Sequence, residues 1–313
     1  MIRTVAWIAL VAVSLAVWLV AVRAYGFDPG VQGSDAWNYL AAGERLNAGH
    51  PLYAVSPGDR PVVLVPPYWT VPLLAPPPIA VAWRPLALLG EPAMTVWAGV
   101  GLGVTLLTAA WLLARGGLIV AAIIAVMSPS LALQSLSGNV NGLLFGAVVV
   151  VWMARSRPVV AGSLLAGAIA IKLTPALLLL WLVASRRWRA SAMTGFALVA
   201  IGGVSLLGAG LGAHLDWLAS VPRSQPAPMA LASLTGLPSI VVIAILGLIV
   251  LAVSLRRDER LTFSAAVVAA ALASPALYLG TLGIAAAAAA PWISPDGGIL
   301  REWRRRTALR TAA

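Results

Sequence analysis

Residues 166–180 read AGAIAIKLTPALLLL, an apolar stretch that contains Lys172, the only lysine of the chain, with a Thr-Pro pair closely behind it. A lysine within hydrocarbon costs about 3 kcal/mol or more unless it faces a cavity or a counter-ion. As helices, the apolar legs 158–171 and 173–185 would each reach only about 20 Å, short of a bilayer core of about 30 Å. The pattern predicts a hairpin that turns at Lys172, which is either a functional group or a lysine that snorkels from a helix end.

The composition places this hairpin in a membrane protein. Of the 313 residues, 61% are hydrophobic and 10% are charged, with a mean hydropathy of +0.94, whereas soluble domains carry about 25% charged residues. The chain has no cysteine and only two histidines, so we predict no metal site and no cofactor. The net charge of +11 comes from arginines at the ends of apolar runs, as is typical of membrane proteins. We therefore expect membrane lipids, and no nucleic acid, as partners.

Apolar runs recur along the chain. Residues 2–22 predict a first transmembrane helix that is retained, because the run is longer than the core of a typical signal peptide. The further apolar segments are 92–113, 117–134, 140–154, 158–171, 173–185, 190–211, 237–255 and 261–291. They predict an all-α polytopic membrane protein with about ten crossings and a long first outer loop. The proline-rich residues 72–90 fit either an eleventh crossing or a half-buried interfacial segment.

Arginines set the predicted orientation, since the cytoplasmic flanks of spans carry the excess of positive charge. On this basis a transmembrane domain covers 1–291, with outer loops at about 23–91 and 212–236, and residues 292–313 form a basic cytoplasmic tail. Three stretches must then enter and leave on the cytoplasmic side, and each contains a proline that can break or kink a helix. They are 117–154 with Ser128-Pro129, 158–185 with Thr174-Pro175, and 261–291 with Ser274-Pro275.

The first outer loop holds a candidate catalytic residue, Asp35. Residues 34–49 predict a short helix with Asp35 at its N-cap and Gly49 near its end. The apolar positions predicted to lie on the membrane surface are Trp37, Leu40, Ala41 and Leu46. A carboxylate that caps the helix and a carboxylate that acts in catalysis are both consistent with this position, and the two roles are compatible.

Other rare polar residues fall at hairpin ends and in the second outer loop. Asn139 and Asn141 belong to a polar knot, SGNVNG at 137–142, and either line a cavity or tie helices together, because unbonded amides are costly in hydrocarbon. Arg223 is either a solvated loop charge or a phosphate contact, and Ser274 precedes the last hairpin proline. The predicted topology brings these residues to one membrane face: Asp35, Asn139, Asn141, Lys172, Arg223 and Ser274.

The order of these motifs is similar to that of a known family. An early aspartate is followed by tyrosine, glycines and Pro-Leu-Tyr, then by a proline-rich segment, the polar knot, a Lys-x-Thr-Pro turn with leucines and Arg-Arg-Trp-Arg behind it, and a late Ser-Pro. The positions are Asp35, Tyr39, Gly43, Gly49, Pro51-Leu52-Tyr53, Pro77-Pro78, Pro85-Leu86, 138–141, 172–175, 186–189 and Ser274-Pro275. The chain resembles glycosyltransferase family 87, a group of actinobacterial membrane mannosyltransferases with the GT-C fold.

The resemblance implies an enzyme of the cell membrane whose active site faces the extracytoplasmic side. It implies a polyprenyl-phosphate-linked mannose donor and a cell-envelope glycolipid or glycan as the acceptor. Asp35 would act as the general base in an inverting transfer. Lys172, with Arg223 as a second candidate, would stabilise the departing phosphate. The residues that would line the site are Tyr39, Tyr53, Asn139, Asn141 and Ser274.

Two other functions stay open. A lipid or solute transporter or flippase would also contain broken helices and charges within the membrane, but it should show inverted internal repeats. The three hairpins show only a faint mutual similarity. A catalytically degenerate member of the family could instead act as a scaffold for envelope-assembly enzymes.

Overall fold

The computed structural model describes residues 34–53, 75–220 and 226–293, together with six helical residues between positions 12 and 19. Within these ranges the named elements are all helices, so the predicted all-α class is confirmed for the described part of the chain. The predictions that fall outside it concern most of the first helix, residues 54–74 of the first outer loop, Arg223 and the basic tail from residue 294.

The helices follow one another through short connections. In chain order they are α1 (Ser34–Asn47), α2 (Pro77–Ala87), α3 (Pro92–Arg115), α4 (Leu118–Leu136), α5 (Asn141–Met153), α6 (Pro158–Ile171), a short 3-10 turn (Thr174–Leu177), α7 (Leu178–Ala184), α8 (Trp188–Ser220), α9 (Leu231–Thr235), α10 (Ser239–Ser254), α11 (Glu259–Leu272) and a C-terminal 3-10 helix (Leu279–Trp292).

Three of these helices, α3, α4 and α8, are long and apolar enough to cross a membrane. Only 11% of the apolar stretch of α3 and 6% of that of α8 is buried against protein, compared with 39% for α4. Since exposed leucine and valine surfaces of this extent suit lipid rather than water, α3 and α8 present their sides to the bilayer and α4 lies further inside. The count of about ten crossings stays a prediction.

The first predicted hairpin turns at the polar knot and not at its proline. Pro129 does not break α4, which continues to Leu136, and the chain reverses instead at Gly138, whose φ of +67° lies in the left-handed region. A proline within a helix leaves the carbonyl four residues earlier without its donor. Here that carbonyl belongs to Ala125, and the hydroxyl of Ser128 donates to it at 2.7 Å. The serine thus replaces the missing N–H, and the helix stays intact.

The second and third hairpins turn where the sequence predicts. Lys172 directly follows α6 in an extended conformation, and Arg187, beyond α7, donates to the carbonyl of Arg155, ahead of α6, at 2.6 Å. Both legs therefore return to one end of the molecule. In the last hairpin the hydroxyl of Ser264 in α11 donates at 3.0 Å to the carbonyl of Ala288 in the C-terminal 3-10 helix.

These reversals give the helical body two chemically different ends. The asparagine end comprises the turns at 137–140, 172–173 and 273–278, and the arginine end comprises the turns at 154–157, 185–187 and 255–258. The arginine clusters were predicted on the face opposite the polar candidates, and in the described part of the fold the two groups lie at opposite ends. Which end faces the cytoplasm stays a prediction.

Helices α1 and α2 pack together at the asparagine end. The buried face of α1 includes Ala36, Leu40 and Gly43, and a Cβ at Gly43 would come within 2.8 Å of the Trp83 carbonyl oxygen in α2. Of the residues predicted to lie on the membrane surface, Leu40 is therefore buried inside the protein, while Trp37, Ala41 and Leu46 are partly exposed. As a helix of 11 residues, α2 spans only about 17 Å, which favours the interfacial interpretation of residues 72–90 over an eleventh crossing.

Candidate functional site

The carboxylate of Asp35 is held at the asparagine end by the turn between α4 and α5. Helix α1 begins at Ser34, so Asp35 lies in its first turn and not at the predicted N-cap. The backbone N–H groups of Asp35 and Ala36 donate to the carbonyl of Ser137 at 3.0 and 3.3 Å. Two amide donors that a helix start leaves unpaired are thus satisfied by another element, and the start of α1 is anchored to the turn.

Asn139 joins this anchor to the next helix. Its side-chain N–H donates to Oδ2 of Asp35 at 2.9 Å, and its Oδ1 accepts the backbone N–H of Asn141 at 2.9 Å. The second bond fixes which way the Asn139 amide points, so that its donor faces the carboxylate. Asn139 therefore orients Asp35 while it caps the start of α5.

Lys172 reaches the same cluster from the second hairpin. Its Nζ donates to Oδ1 of Asn141 at 3.1 Å, and the Asn141 side chain, which is fully buried, donates in turn to the carbonyl of Thr281 at 3.5 Å. We call the connected set Asp35, Asn139, Asn141 and Lys172 the polar network. The start of α1, the turn before α5 and the turn after α6 meet in this network, and the carbonyl of Thr281 accepts a hydrogen bond from it.

The network keeps its two charges apart. The side chains of Asn139 and Asn141 lie between the Asp35 carboxylate and the Lys172 ammonium. In the described structure the two charged groups therefore do not form an ion pair with each other. Lys172 uses one of its three N–H donors on Asn141. The carboxylate and the ammonium can therefore each still contact a ligand. A group transfer in which an anion departs needs such a pair, a base for the incoming hydroxyl and a cation for the anion.

Burial changes the basicity of Asp35. Removal of the carboxylate from water raises its pKa, while hydrogen bonds from the side chains of Asn139 and Ser137 and the positive charge of Lys172 act in the opposite direction. Burial is the largest of these effects, so the pKa is raised overall. A carboxylate with a raised pKa is a stronger base toward a hydroxyl once it is ionised.

The other predicted site residues lie outside the network. Tyr39 is buried, with ring centroids 6.0 Å from Trp83 and 6.1 Å from Trp97, so it supports α1 from beneath. Tyr53 is half-buried and donates to the carbonyl of Ala75 at 2.8 Å. Ser274 is buried in the turn after α11 and makes no side-chain hydrogen bond to the network within the described ranges. Arg223 lies outside the described residues, and the roles of all four stay predictions.

Three residues that support the network were not among the predicted site residues. Trp97 in α3 donates its indole N–H to the carbonyl of Gly138 at 2.7 Å. Thr281 holds Asn141 through its backbone, which no side-chain pattern reveals. Gln134 is fully buried, and its backbone carbonyl accepts the N–H of Asn139 at 3.0 Å. A lone glutamine in the apolar α4 was the one available signal.

The described residues contain no group of three or more histidine, cysteine, aspartate or glutamate side chains close enough to share a metal ion. That the reaction needs no metal or other cofactor stays a prediction.

Gly138 provides a test of how closely the turn fits α1. A Cβ at this position would lie 2.6 Å from Cβ of Ala36, and the φ of +67° adds a backbone cost of about 1–2 kcal/mol for any other residue. We expect Gly138→Ala to lower the Tm of the purified protein. Gly49→Ala is the matched control, because Gly49 has a φ of +73° but nothing within 4 Å. Equal losses in both variants would contradict a close contact at Gly138.

Comparison with known proteins bears on what this site does. The model of glycosyltransferase family 87 matches residues 74–294, which contain Asn139, Asn141 and Lys172 and begin after Asp35. No curated protein and no solved structure gives a significant match to this chain. The family match extends over more than half of the sequence and agrees with the family that the motifs resembled. The chain therefore belongs to glycosyltransferase family 87.

Proposed function

We propose that this membrane glycosyltransferase moves a mannosyl residue from a polyprenyl-phosphate donor to a glycolipid or glycan of the cell envelope, on the extracytoplasmic side of the cell membrane. The observation that carries the proposal is the polar network, which joins one carboxylate and one ammonium through two fixed amides. Membership of the family supports sugar transfer, and the membrane helices favour a lipid-linked substrate over a soluble one.

Asp35 is the general base of the proposed reaction. Its carboxylate takes the proton of an acceptor hydroxyl as the hydroxyl oxygen attacks the anomeric carbon of the donor sugar. The new glycosidic bond forms on the face opposite the departing group, so the bond between the anomeric carbon and the phosphate oxygen breaks with inversion. Asn139, held by the backbone of Asn141, keeps the carboxylate oriented throughout.

Lys172 stabilises the leaving group. As the anomeric bond breaks, negative charge increases on the polyprenyl phosphate, and a positioned cation in a buried site lowers the energy of that charge. The two N–H donors of Lys172 that do not contact Asn141 are available to phosphate oxygens. Arg223, in the second outer loop, is a further candidate for the same phosphate.

A transfer assay in membranes tests this function. Membranes that contain the chain would be supplied with radiolabelled polyprenyl-phosphate-mannose, and in parallel with polyprenyl-phosphate-arabinose and with GDP-mannose. We expect labelled lipid or glycan product from the first donor only, and none from membranes that lack the chain. Product from GDP-mannose, formed without any lipid intermediate, would overturn the proposed donor class. Absence of product from every donor, with intact protein, would instead favour the scaffolding role.

A further inference from the structure

A second polar feature lies at the arginine end, remote from the network. Helix α5 carries Asn141 at one end and Trp152 near the other, about 16 Å away along the helix. Beside Trp152 there is a cleft of about 580 Å³ between the end of α5, the start of α11 and the end of the C-terminal 3-10 helix. It is lined by Trp152, Arg155, Arg257, Arg260 and Trp292, together with Asp258 and Glu259.

Both acids of the cleft are already engaged. Oδ1 of Asp258 accepts the backbone N–H groups of Arg260 and Leu261 at 2.8 and 3.1 Å and so caps the start of α11. Oε1 of Glu259 accepts from the guanidinium of Arg187 at 2.6 and 2.7 Å. Neither carboxylate contacts an arginine side chain of the cleft lining.

The guanidinium groups of the lining arginines therefore form no ion pair with these two carboxylates. Arg257 and Arg260 are exposed, and neither forms an ion pair within the described ranges. Arg155 is held in place by stacking, since its guanidinium lies 4.3 Å from the ring centroid of Trp152 and donates to the Trp152 carbonyl at 3.1 Å. Guanidinium groups bind phosphate oxygens in a bidentate manner, so this set is suited to one phosphate group.

Exposed apolar side chains adjoin the cleft. Leu255, two residues before Arg257, is 81% exposed, and Met153, next to Trp152, is 39% exposed. Trp292 is half-buried at the rim and donates its indole N–H to Ser264 at 3.2 Å. Tryptophan and arginine at the ends of apolar helices are typical of the membrane interface. We propose that this cleft binds the phosphate headgroup of an anionic membrane phospholipid, independently of the transferase reaction.

Binding of phosphatidylglycerol to the detergent-purified full chain tests this proposal. Native mass spectrometry would count bound lipid across a titration, with phosphatidylcholine as the neutral lipid. The cleft variant is Arg257→Gln with Arg260→Gln. Its control, Arg157→Gln with Arg256→Gln, removes the same charge from exposed arginines that do not line the cleft. We expect the cleft variant to bind phosphatidylglycerol about tenfold or more weakly, because two charge-assisted contacts are lost, and the control to bind as wild type.

Three outcomes would overturn the proposal. Equal weakening in both double variants would show a general charge effect, and unchanged binding in the cleft variant would show that the lipid binds elsewhere. Displacement of phosphatidylglycerol by inorganic phosphate at similar concentration would make the cleft a site for soluble phosphate. The Tm of each variant, measured without lipid, shows whether it is folded. If the cleft variant is unfolded, Arg260→Lys replaces it, because this change keeps the charge and loses the bidentate geometry.

Discussion

Replacement of Asp35 by asparagine is expected to reduce sugar transfer by about 10²–10⁴-fold, the contribution of a positioned general base. Asparagine keeps the shape of the side chain and can still accept the hydrogen bond from Asn139, so the fold should survive. The measurement is product formation from polyprenyl-phosphate-mannose at equal protein level in membranes. The wild-type rate should also rise with pH through the raised pKa of Asp35, because only the ionised carboxylate can accept the proton.

Glu44→Gln is the matched control for Asp35→Asn. Glu44 lies on the same helix, is exposed, and is not part of the polar network, so its loss should leave transfer within about twofold of wild type. Wild-type rates in both variants would remove Asp35 from the chemistry and leave it the role of anchoring α1. Equal losses in both would indicate that α1 has been disturbed rather than that a base is missing.

Replacement of Lys172 by methionine is expected to reduce kcat by about 10²–10³-fold, the usual effect of losing one group that stabilises transition-state charge. Methionine has a similar length and no charge. The donor KM should change less than kcat, because the phosphate charge that Lys172 meets increases as the anomeric bond breaks. Lys172→Arg restores the charge in a different shape, and we expect it to recover part of the rate.

A structural role for Lys172 can be separated from this chemical role. Lys172→Met leaves the buried Oδ1 of Asn141 without its donor, which costs about 1–3 kcal/mol of stability. In the double variant Lys172→Met with Asn141→Leu, both members of the Lys172–Asn141 bond are gone and the Thr281 carbonyl loses only its long 3.5 Å donor, so the Tm should recover in part while transfer stays low. Recovery of transfer together with Tm would contradict the leaving-group role and would show that Lys172 acts only as a structural partner.

Four of the candidate site residues could be selected from the sequence because polar residues are rare in this apolar chain. Asn139, Asn141 and Lys172 were selected for the cost of leaving such groups unpaired in a membrane. Asp35 was selected for its place at the start of a predicted helix in the outer loop, and the structure joins all four. Their supports were not predictable in this way. Trp97 donates to a backbone carbonyl, and Thr281 accepts with its own backbone carbonyl. Hydrogen bonds to the backbone do not depend on a particular side chain at the accepting position, so the sequence does not reveal them.

The helices were predictable from hydropathy. The differences arose where a local hydrogen bond or a close backbone contact decides the structure. Pro129 was expected to break or kink a helix, but α4 continues past it because Ser128 supplies the missing donor. The stripe of Trp37, Leu40, Ala41 and Leu46 was expected on the membrane surface, but Leu40 is buried inside the protein. Ala36 and Gly43 are buried beside it, where the turn at Gly138 and α2 approach too closely for larger side chains. Close approach of backbones is a tertiary property, and hydropathy does not report it.

The spread of the polar network along the chain has a consequence for how the protein is made. Asp35 bonds to a residue 104 positions later, and Asn141 bonds to Thr281, 140 positions later again. Ribosomes add about 5–20 residues per second, so α1 emerges seconds before its anchor exists, and Asn141 waits longer for its last partner. The final hairpin to be synthesised closes the network. A chain that stalls before residue 279 therefore lacks both the Thr281 carbonyl that accepts from the Asn141 side chain and the 3-10 helix that packs against α5.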